Sequence, residues 1–211
     1  MTAASIGWQQ AWRLLTEQPL TFVNPTQLNE CWPQPLTDQQ HSALYDAPRF
    51  QARLSQLLIN RFQLQPLAQL PMPADEDLPV LLLSSEDFKR LPRLCGAIWH
   101  AATLSREIRS EAVNQLRSGL GSDVFAQALA NRSMAGAADL LRQPADLLDA
   151  IDRDGASAVA AWLHHQPDAL RDWLRLRLDQ RLFESPNAGF DLNIVGRAAA
   201  TFAPLAEELA G

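Results

Sequence analysis

The sequence is poor in the residues from which most small reactive sites are built. Its 211 residues include only two cysteines and four histidines. Cys31 and Cys95 are far apart in the chain, which favours reduced thiols over a structural disulfide. Zinc sites usually combine close Cys/His pairs at a fixed distance, whereas Cys95 and His100 are a single pair five residues apart. The sequence therefore predicts no metal ion and no cofactor.

An excess of positive charge is also missing. Asp and Glu number 24 against 18 Lys and Arg, so the formal net charge is -6. Proteins that bind nucleic acid displace counterions with a concentrated basic face, and anionic lipid attracts the same kind of surface. No run approaches the roughly 20 apolar residues that span a bilayer, and no signal-peptide pattern opens the chain. We expect a cytoplasmic protein that neither binds nucleic acid nor inserts into a membrane.

Three short patterns resemble reactive sites, and each has a better structural explanation. Cys95 and His100 would diverge by about 140° on one helix, and Cys95 lies in an apolar stripe. The glycines before Ser122 lack the lysine of a phosphate-binding loop and instead punctuate a helix. The aspartates of 149–155 lack the alternation of a calcium loop and indicate a helix end. The sequence predicts no catalytic residue and no enzyme.

Apolar residues at helical spacing are abundant. They predict a helix over 2–18 that ends before Pro19, and another over 48–63. Ser84 followed by Asp87 resembles a capping box, and Pro92 is expected to restart a helix. The remaining helices are expected over 25–31, 104–119, 134–142, 144–153, 156–165, 167–183 and 192–209, with Ser122 as a further N-cap and a possible kink at Pro204. The predicted fold is all-α.

Prolines divide this helical chain unevenly. Residues 64–78 hold three prolines and three acids, and Pro79 follows directly, which predicts a linker or a connection along the surface. We expect a proline-rich N-terminal helical lobe over 1–77 and an irregular multi-helix core over 78–211, or one continuous domain. The run 80–83 is expected to be an extended or helical lead-in to the core. Gly96 keeps its helix thin, which would allow another helix to approach closely.

Tryptophan is frequent for this length, with six residues. It is mainly a core residue but is also enriched at protein interfaces. Trp8 and Trp12 lie on the first predicted helix, at the end of the chain. They are the residues that we first expect to face a protein partner.

Residues 79–132 resemble the SctK family of type III secretion accessory proteins, whose members include YscK, PscK, OrgA and HrpD. The resemblance rests on LLLSSEDFKRLPRL, then GAIWHAATLSREIR, then LGSDVFAQALANR. The segment FVNPTQLNECWPQPL is similar to the aromatic and proline-rich opening of that family, and closest to its plant-pathogen HrpD-like branch.

The resemblance implies a non-enzymatic adaptor in the cytoplasmic sorting platform of the injectisome. Such an adaptor links the cytosolic domain of the inner-membrane ring protein SctD to the pod protein SctQ. It would lie in the bacterial cytoplasm, at the cytoplasmic face of the inner membrane once assembled. The alternative is a type III secretion chaperone or regulator that binds a secreted substrate. Such chaperones are also acidic, but they are usually shorter and often mix sheet with helix.

Overall fold

The part of the chain that the structure describes consists of α-helices joined by short turns. The computed structural model describes residues 3–24, 48–138, 143–178 and 190–202, with the single residues 37, 40 and 140. Its α-helices are α1 (Ala3–Glu17), α2 (Pro48–Phe62), α3 (Leu78–Leu81), α4 (Ser85–Trp99), α5 (Ala101–Arg106), α6 (Ser110–Leu120), α7 (Ser122–Ala130), α8 (Pro144–His165), α9 (Asp168–Arg177) and α10 (Asn193–Ala199). Three 3-10 helices lie at Pro19–Phe22, Leu67–Gln69 and Arg132–Met134. The described residues contain no β-strand, and the all-α prediction is confirmed.

Several helix ends follow the predicted local signals. α1 ends two residues before Pro19, and α2 begins at Pro48, a residue that suits a first turn because its missing amide would be unpaired there. α8 begins at Pro144 and ends before Pro167, as expected. The lead-in at 80–83 is half helical, since α3 makes one buried turn that ends at Leu81. None of the described helices is long and apolar enough to cross a membrane.

Ser84 is the N-cap of α4, as the capping pattern predicts. Its hydroxyl oxygen accepts a bond from the Asp87 amide (3.1 Å) and donates to the Asp87 carboxylate (2.7 Å). We expect Ser84→Ala to lower the free energy of unfolding by about 1 kcal/mol, because the first turn loses that acceptor. Urea denaturation would measure the change. The matched control is Ser85→Ala, at an exposed position one residue further along, and an equal loss in both variants would contradict the capping role.

Two predicted helix boundaries are wrong. Pro92 does not restart a helix but lies inside α4, and Gly155 does not end one but lies inside α8. The physical reason is the crossing of these two helices, which make the most extensive contact in the fold. A Cβ on Gly155 would lie 1.8 Å from the Pro92 carbonyl oxygen, and one on Gly96 would lie 1.9 Å from the Ile151 carbonyl oxygen. The close approach predicted at Gly96 is therefore present.

The helix predicted over 104–119 is interrupted at 107–109, between α5 and α6. The Glu107 carboxylate accepts bonds from the Arg109 backbone amide (2.9 Å) and from its guanidinium (2.6 Å). These bonds to Arg109 lower the pKa of Glu107 to about 2. A side chain thus supplies the acceptor that a helical carbonyl would have supplied, and the helix stops.

The start of the helix predicted over 134–142 is also wrong. Residues 132–134 form a 3-10 turn and residues 135–138 are not helical. The amides of Gly136 and Ala137 donate to the Trp99 carbonyl oxygen instead, at 3.2 and 3.1 Å.

Ser122 is the first residue of α7 rather than its N-cap, because Gly121 occupies the cap with a φ of 88°. Glycine adopts such a positive φ without steric cost.

Some predicted features lie outside the described residues. They are the helix over 25–31, Cys31, the segment 179–183 and the kink at Pro204. The last two predicted helices end earlier than expected: α9 ends at Arg177, where Leu178 is extended, and α10 ends at Ala199. Buried side chains from both sides of residue 77 belong to one hydrophobic cluster, among them Trp12, Leu58, Leu94 and Trp162. The division into folding units at that residue stays a prediction.

Candidate functional site

The two tryptophans expected to face a partner differ in position. Trp12 is only 2% exposed, and its ring meets Phe22 edge-on with centroids 6.1 Å apart. Trp8 is half-buried and packs against the core cluster. The Trp12 ring is therefore mainly a core element, and partner binding by these two residues stays a prediction.

Cys95 and His100, which were considered as reactive groups, are both buried, and their surroundings indicate structural roles. Cys95 is completely buried in α4, and burial raises the pKa of its thiol, so the nucleophilic thiolate is disfavoured. His100 is 2% exposed, and its Nε2 lies 2.8 Å from Oδ2 of Asp154. Asp154, predicted at a helix end, thus holds His100 from within α8. Among the described residues, no three His, Cys, Asp or Glu side chains are grouped as a metal would need.

A large surface groove is the feature best suited to recognition. We call it the proline-loop groove; its volume is about 820 Å³. One wall is the connection 65–79, another is the junction of α8 with α9, and the third is 192–200 around α10. Much of its surface is apolar, with side chains that include Leu70, Pro71, Met72, Pro73, Ala169 and Leu170. Met72 is 43% exposed, so an apolar side chain is open to solvent at the groove.

Polar contacts hold these walls together. Oδ1 of Asp77 accepts bonds from Nε1 of Trp162 (2.6 Å) and from Nε2 of Gln166 (3.2 Å). The carbonyl oxygen of Gln65 accepts a bond from Nε1 of the fully buried Trp173 (2.8 Å). The connection 64–78 is therefore fastened to α8 and α9 along the surface, which agrees with the second of the two predicted forms.

The third wall is brought close by a glycine. A Cβ on Gly196 would lie 2.5 Å from the Glu76 carbonyl oxygen, so α10 approaches the backbone of the connection directly. The next residue, Arg197, is exposed, and its Nε donates to Oδ1 of Asn131 at 3.2 Å. Glu76 is also exposed. The groove thus combines apolar walls with the acidic residues Glu76 and Asp77 and the basic residue Arg197.

The groove was not predicted from the sequence, because its walls come from three segments that are distant along the chain. The signal that was present is Met72 between Pro71 and Pro73, an apolar side chain on a segment that cannot form a regular helix. From the sequence alone, that segment is predicted only to be a connection. A single exposed apolar residue is common, and it is the contiguous apolar patch of the folded groove that marks an interaction surface.

A second surface cluster is explained by packing between helices. Arg93 of α4 donates to both oxygens of the Asp152 carboxylate in α8, at 2.8 and 2.6 Å. Arg90 of α4 pairs with Asp123 of α7 at 2.5 Å, and its guanidinium lies 5.5 Å from the Phe202 ring. These exposed pairs orient neighbouring helices, and each contributes little to stability.

Comparison with known proteins relates the chain to bacterial nodulation proteins. The nodulation protein NolU of Rhizobium fredii is 31% identical over 142 residues, which are 63% of this chain and 67% of the relative. NolU of Sinorhizobium fredii (strain NBRC 101917 / NGR234) gives the same values. No protein-family profile matches the chain, and no solved structure matches it. With this identity over two thirds of the relative, the chain belongs to the family of the nodulation protein NolU.

Proposed function

We propose that the chain is a non-enzymatic adaptor in the cytoplasmic sorting platform of a type III secretion system. It links an SctD-like inner-membrane ring protein, through the cytosolic domain of that protein, to an SctQ-like pod protein. The secretion system is suggested by two likenesses: membership of the NolU family and the SctK-like residues 79–132. Nodulation is an interaction of bacteria with plants, which agrees with the plant-pathogen branch of the resemblance.

The observation that carries the adaptor role is the proline-loop groove. An adaptor works by recognition, so it needs surfaces that are complementary to other proteins. The groove offers apolar walls on a rigid frame, with Met72 open to solvent and Asp77 fixed between Trp162 and Gln166. Apolar clefts with a few placed polar groups are the usual form of a binding site.

The SctK-like residues 79–132 contribute mainly to the packed core and less to a surface that a partner could contact. Its longest helix is α4, which packs against α7, α8 and α10 and buries Leu91, Leu94 and Ile98. Such buried residues serve close packing of the core. We therefore propose that the partner-binding surfaces lie outside residues 79–132. The protein itself would lie in the bacterial cytoplasm and, after assembly, at the cytoplasmic face of the inner membrane.

Co-purification tests the proposed function. The tagged full-length chain is expressed with the pod protein and with the cytosolic domain of the ring protein from the same bacterium, separately and together. We expect the chain to retain each one alone and to bring the two into one complex. A chain that retains neither would contradict the proposal. Retention of a secreted effector alone would favour the chaperone alternative, because a chaperone binds its substrate rather than the platform.

A further inference from the structure

The backbone around the proline-loop groove offers an occupant few amide donors. Pro71 and Pro73 have no amide hydrogen, so Met72 has the one amide of 71–73, which is too few for a regular ladder with an added β-strand. At the junction of α8 and α9, Nη1 of Arg171 donates to the carbonyl oxygens of His164 (3.0 Å) and Gln166 (3.5 Å). These end carbonyls of α8 are therefore already satisfied by the chain itself.

The same holds at the start of α10. The amide of Asn193 donates to the Asp191 side chain (3.0 Å), and the amide of Ile194 donates to the Asp191 carbonyl oxygen (3.1 Å). An extended peptide in the groove would leave most of its own carbonyls without an amide partner against apolar walls, which is unfavourable. An α-helix pairs its backbone groups internally. The occupant that these walls accept is a helix.

The charges of the groove specify the occupant further. Among the described residues, no salt bridge joins the Glu76 carboxylate to a cation, and none joins the Arg197 guanidinium to an acid. Both side chains are exposed and belong to the groove lining. An occupant with a basic side chain toward Glu76 and an acidic one toward Arg197 would complement both charges.

We infer that the proline-loop groove binds one amphipathic α-helix of a partner protein. Its apolar face, with anchors at i, i+3, i+4 and i+7, packs against Met72 and Leu70, a basic side chain faces Glu76, and an acidic one faces Arg197. The inference rests on the proposed function, since the helix belongs to the pod protein or to the ring protein's cytosolic domain. It adds which surface of the chain is used and what chemistry the partner presents there.

A pair of matched aspartate variants tests the use of this surface. Met72→Asp places a carboxylate at the groove, whereas Leu14→Asp places one on α1 at a residue that does not line it. The two wild-type side chains are similarly exposed, 43% for Met72 and 46% for Leu14. We expect Met72→Asp to weaken binding of one purified partner by about tenfold or more and to leave the other unchanged. Leu14→Asp should leave both affinities unchanged.

Both positions are exposed, so we expect both variants to unfold at the same temperature as the wild type. The midpoint of thermal unfolding, measured for each variant, checks that it is folded. If Met72→Asp, folded, binds both partners normally, the groove is not the site and the inference is overturned while the adaptor proposal stands. If the wild type binds neither partner, the proposed function itself fails. The two failures are therefore distinguishable.

A charge exchange identifies the occupant. A photo-crosslinking amino acid at position 72 is expected to label one amphipathic helix of the partner. Glu76→Lys should weaken that partner's binding, and changing the basic residue of the labelled helix to glutamate should restore it. Labelling of a non-helical segment of the partner, of this same chain or of a second copy would overturn the inference. Failure of the exchange to restore binding would overturn the pairing with Glu76.

Discussion

Replacing Gly155 by alanine is expected to lower the free energy of unfolding by about 3 kcal/mol, although alanine is the better helix former. Gly155 lies in the middle of α8, where α8 crosses α4. A Cβ there would lie 1.8 Å from the carbonyl oxygen and 2.7 Å from the carbonyl carbon of Pro92. Both are backbone atoms, so no side-chain rotation relieves the contact and the helices must move apart. That movement would loosen a crossing that also depends on Gly96.

The matched control is Gly7→Ala in α1. Nothing lies within 4 Å of a Cβ built on Gly7, and the residue is exposed. The change removes backbone freedom from the unfolded chain at no steric cost, so we expect a gain of about 0.5–1 kcal/mol. Chemical denaturation of the two variants and the wild type would measure opposite signs for one substitution. A gain in stability with Gly155→Ala would show that α4 and α8 do not touch through their backbones.

This crossing also explains why one glycine, Gly96, was interpreted correctly from the sequence and another, Gly155, wrongly. Gly96 lies within an apolar stripe, where a glycine indicates close approach of a second element. Gly155 follows Asp154, and an aspartate-glycine pair is a common turn signal. The backbone has the same freedom in both cases. Only the position of the other helix, far along the chain, makes Gly155 part of a helix interior.

Other differences have the same origin in contacts that a local pattern does not contain. The amides of Gly136 and Ala137 are bonded to the carbonyl oxygen of Trp99, which lies more than 30 residues earlier. The break between α5 and α6 depends instead on a local contact that periodicity does not reveal, in which the Arg109 amide and guanidinium donate to the Glu107 carboxylate. Helical periodicity predicts that a helix is possible. It does not predict which acceptor an amide finally uses.

The candidate site was less accessible to sequence analysis than the fold. The sequence contains no recognisable site motif, so tryptophans were the first candidates for partner contact, but Trp12 lies in the core. The proline-loop groove requires that 65–79, the end of α8 and the start of α10 come together. Each segment alone is an ordinary proline-rich connection or helix end, so the surface exists only in the folded chain.

Replacing the buried Arg177 by methionine is expected to lower the free energy of unfolding by about 3 kcal/mol. Arg177 is 5% exposed at the end of α9. Its Nη1 donates to the Leu81 carbonyl oxygen at 2.5 Å, and its Nη2 donates to that of Leu83. The guanidinium also lies 4.5 Å from the centre of the Phe22 ring. One side chain thus joins α9, the end of α3 and the turn after α1.

Methionine fills a similar apolar volume but donates no hydrogen bond. The variant gains by not burying a charge, since burial lowers the pKa of Arg177 to about 10. It loses more, because the two carbonyl groups stay buried without their donor and the cation no longer faces the Phe22 ring. Above about pH 10 the unfolded wild type binds more protons than the folded one, so the wild type gains stability there relative to the variant as pH rises.

Arg175→Met provides the comparison within the same helix. The Arg175 side chain is 51% exposed and pairs with Asp172 three residues earlier, at 2.7 Å. Exposed pairs of this kind contribute about 0.5 kcal/mol or less, so the control should unfold almost like the wild type. Urea denaturation at pH 7 would compare the three proteins. If both arginine variants lose the same small amount, Arg177 does not join these elements, and the N-terminal turn must be held by its other contacts, such as the bond from the Asn24 amide to the Leu176 carbonyl oxygen (2.9 Å). A selective loss at Arg177 would instead make it a polar link by which the N-terminal residues are fixed to the helices that form the groove.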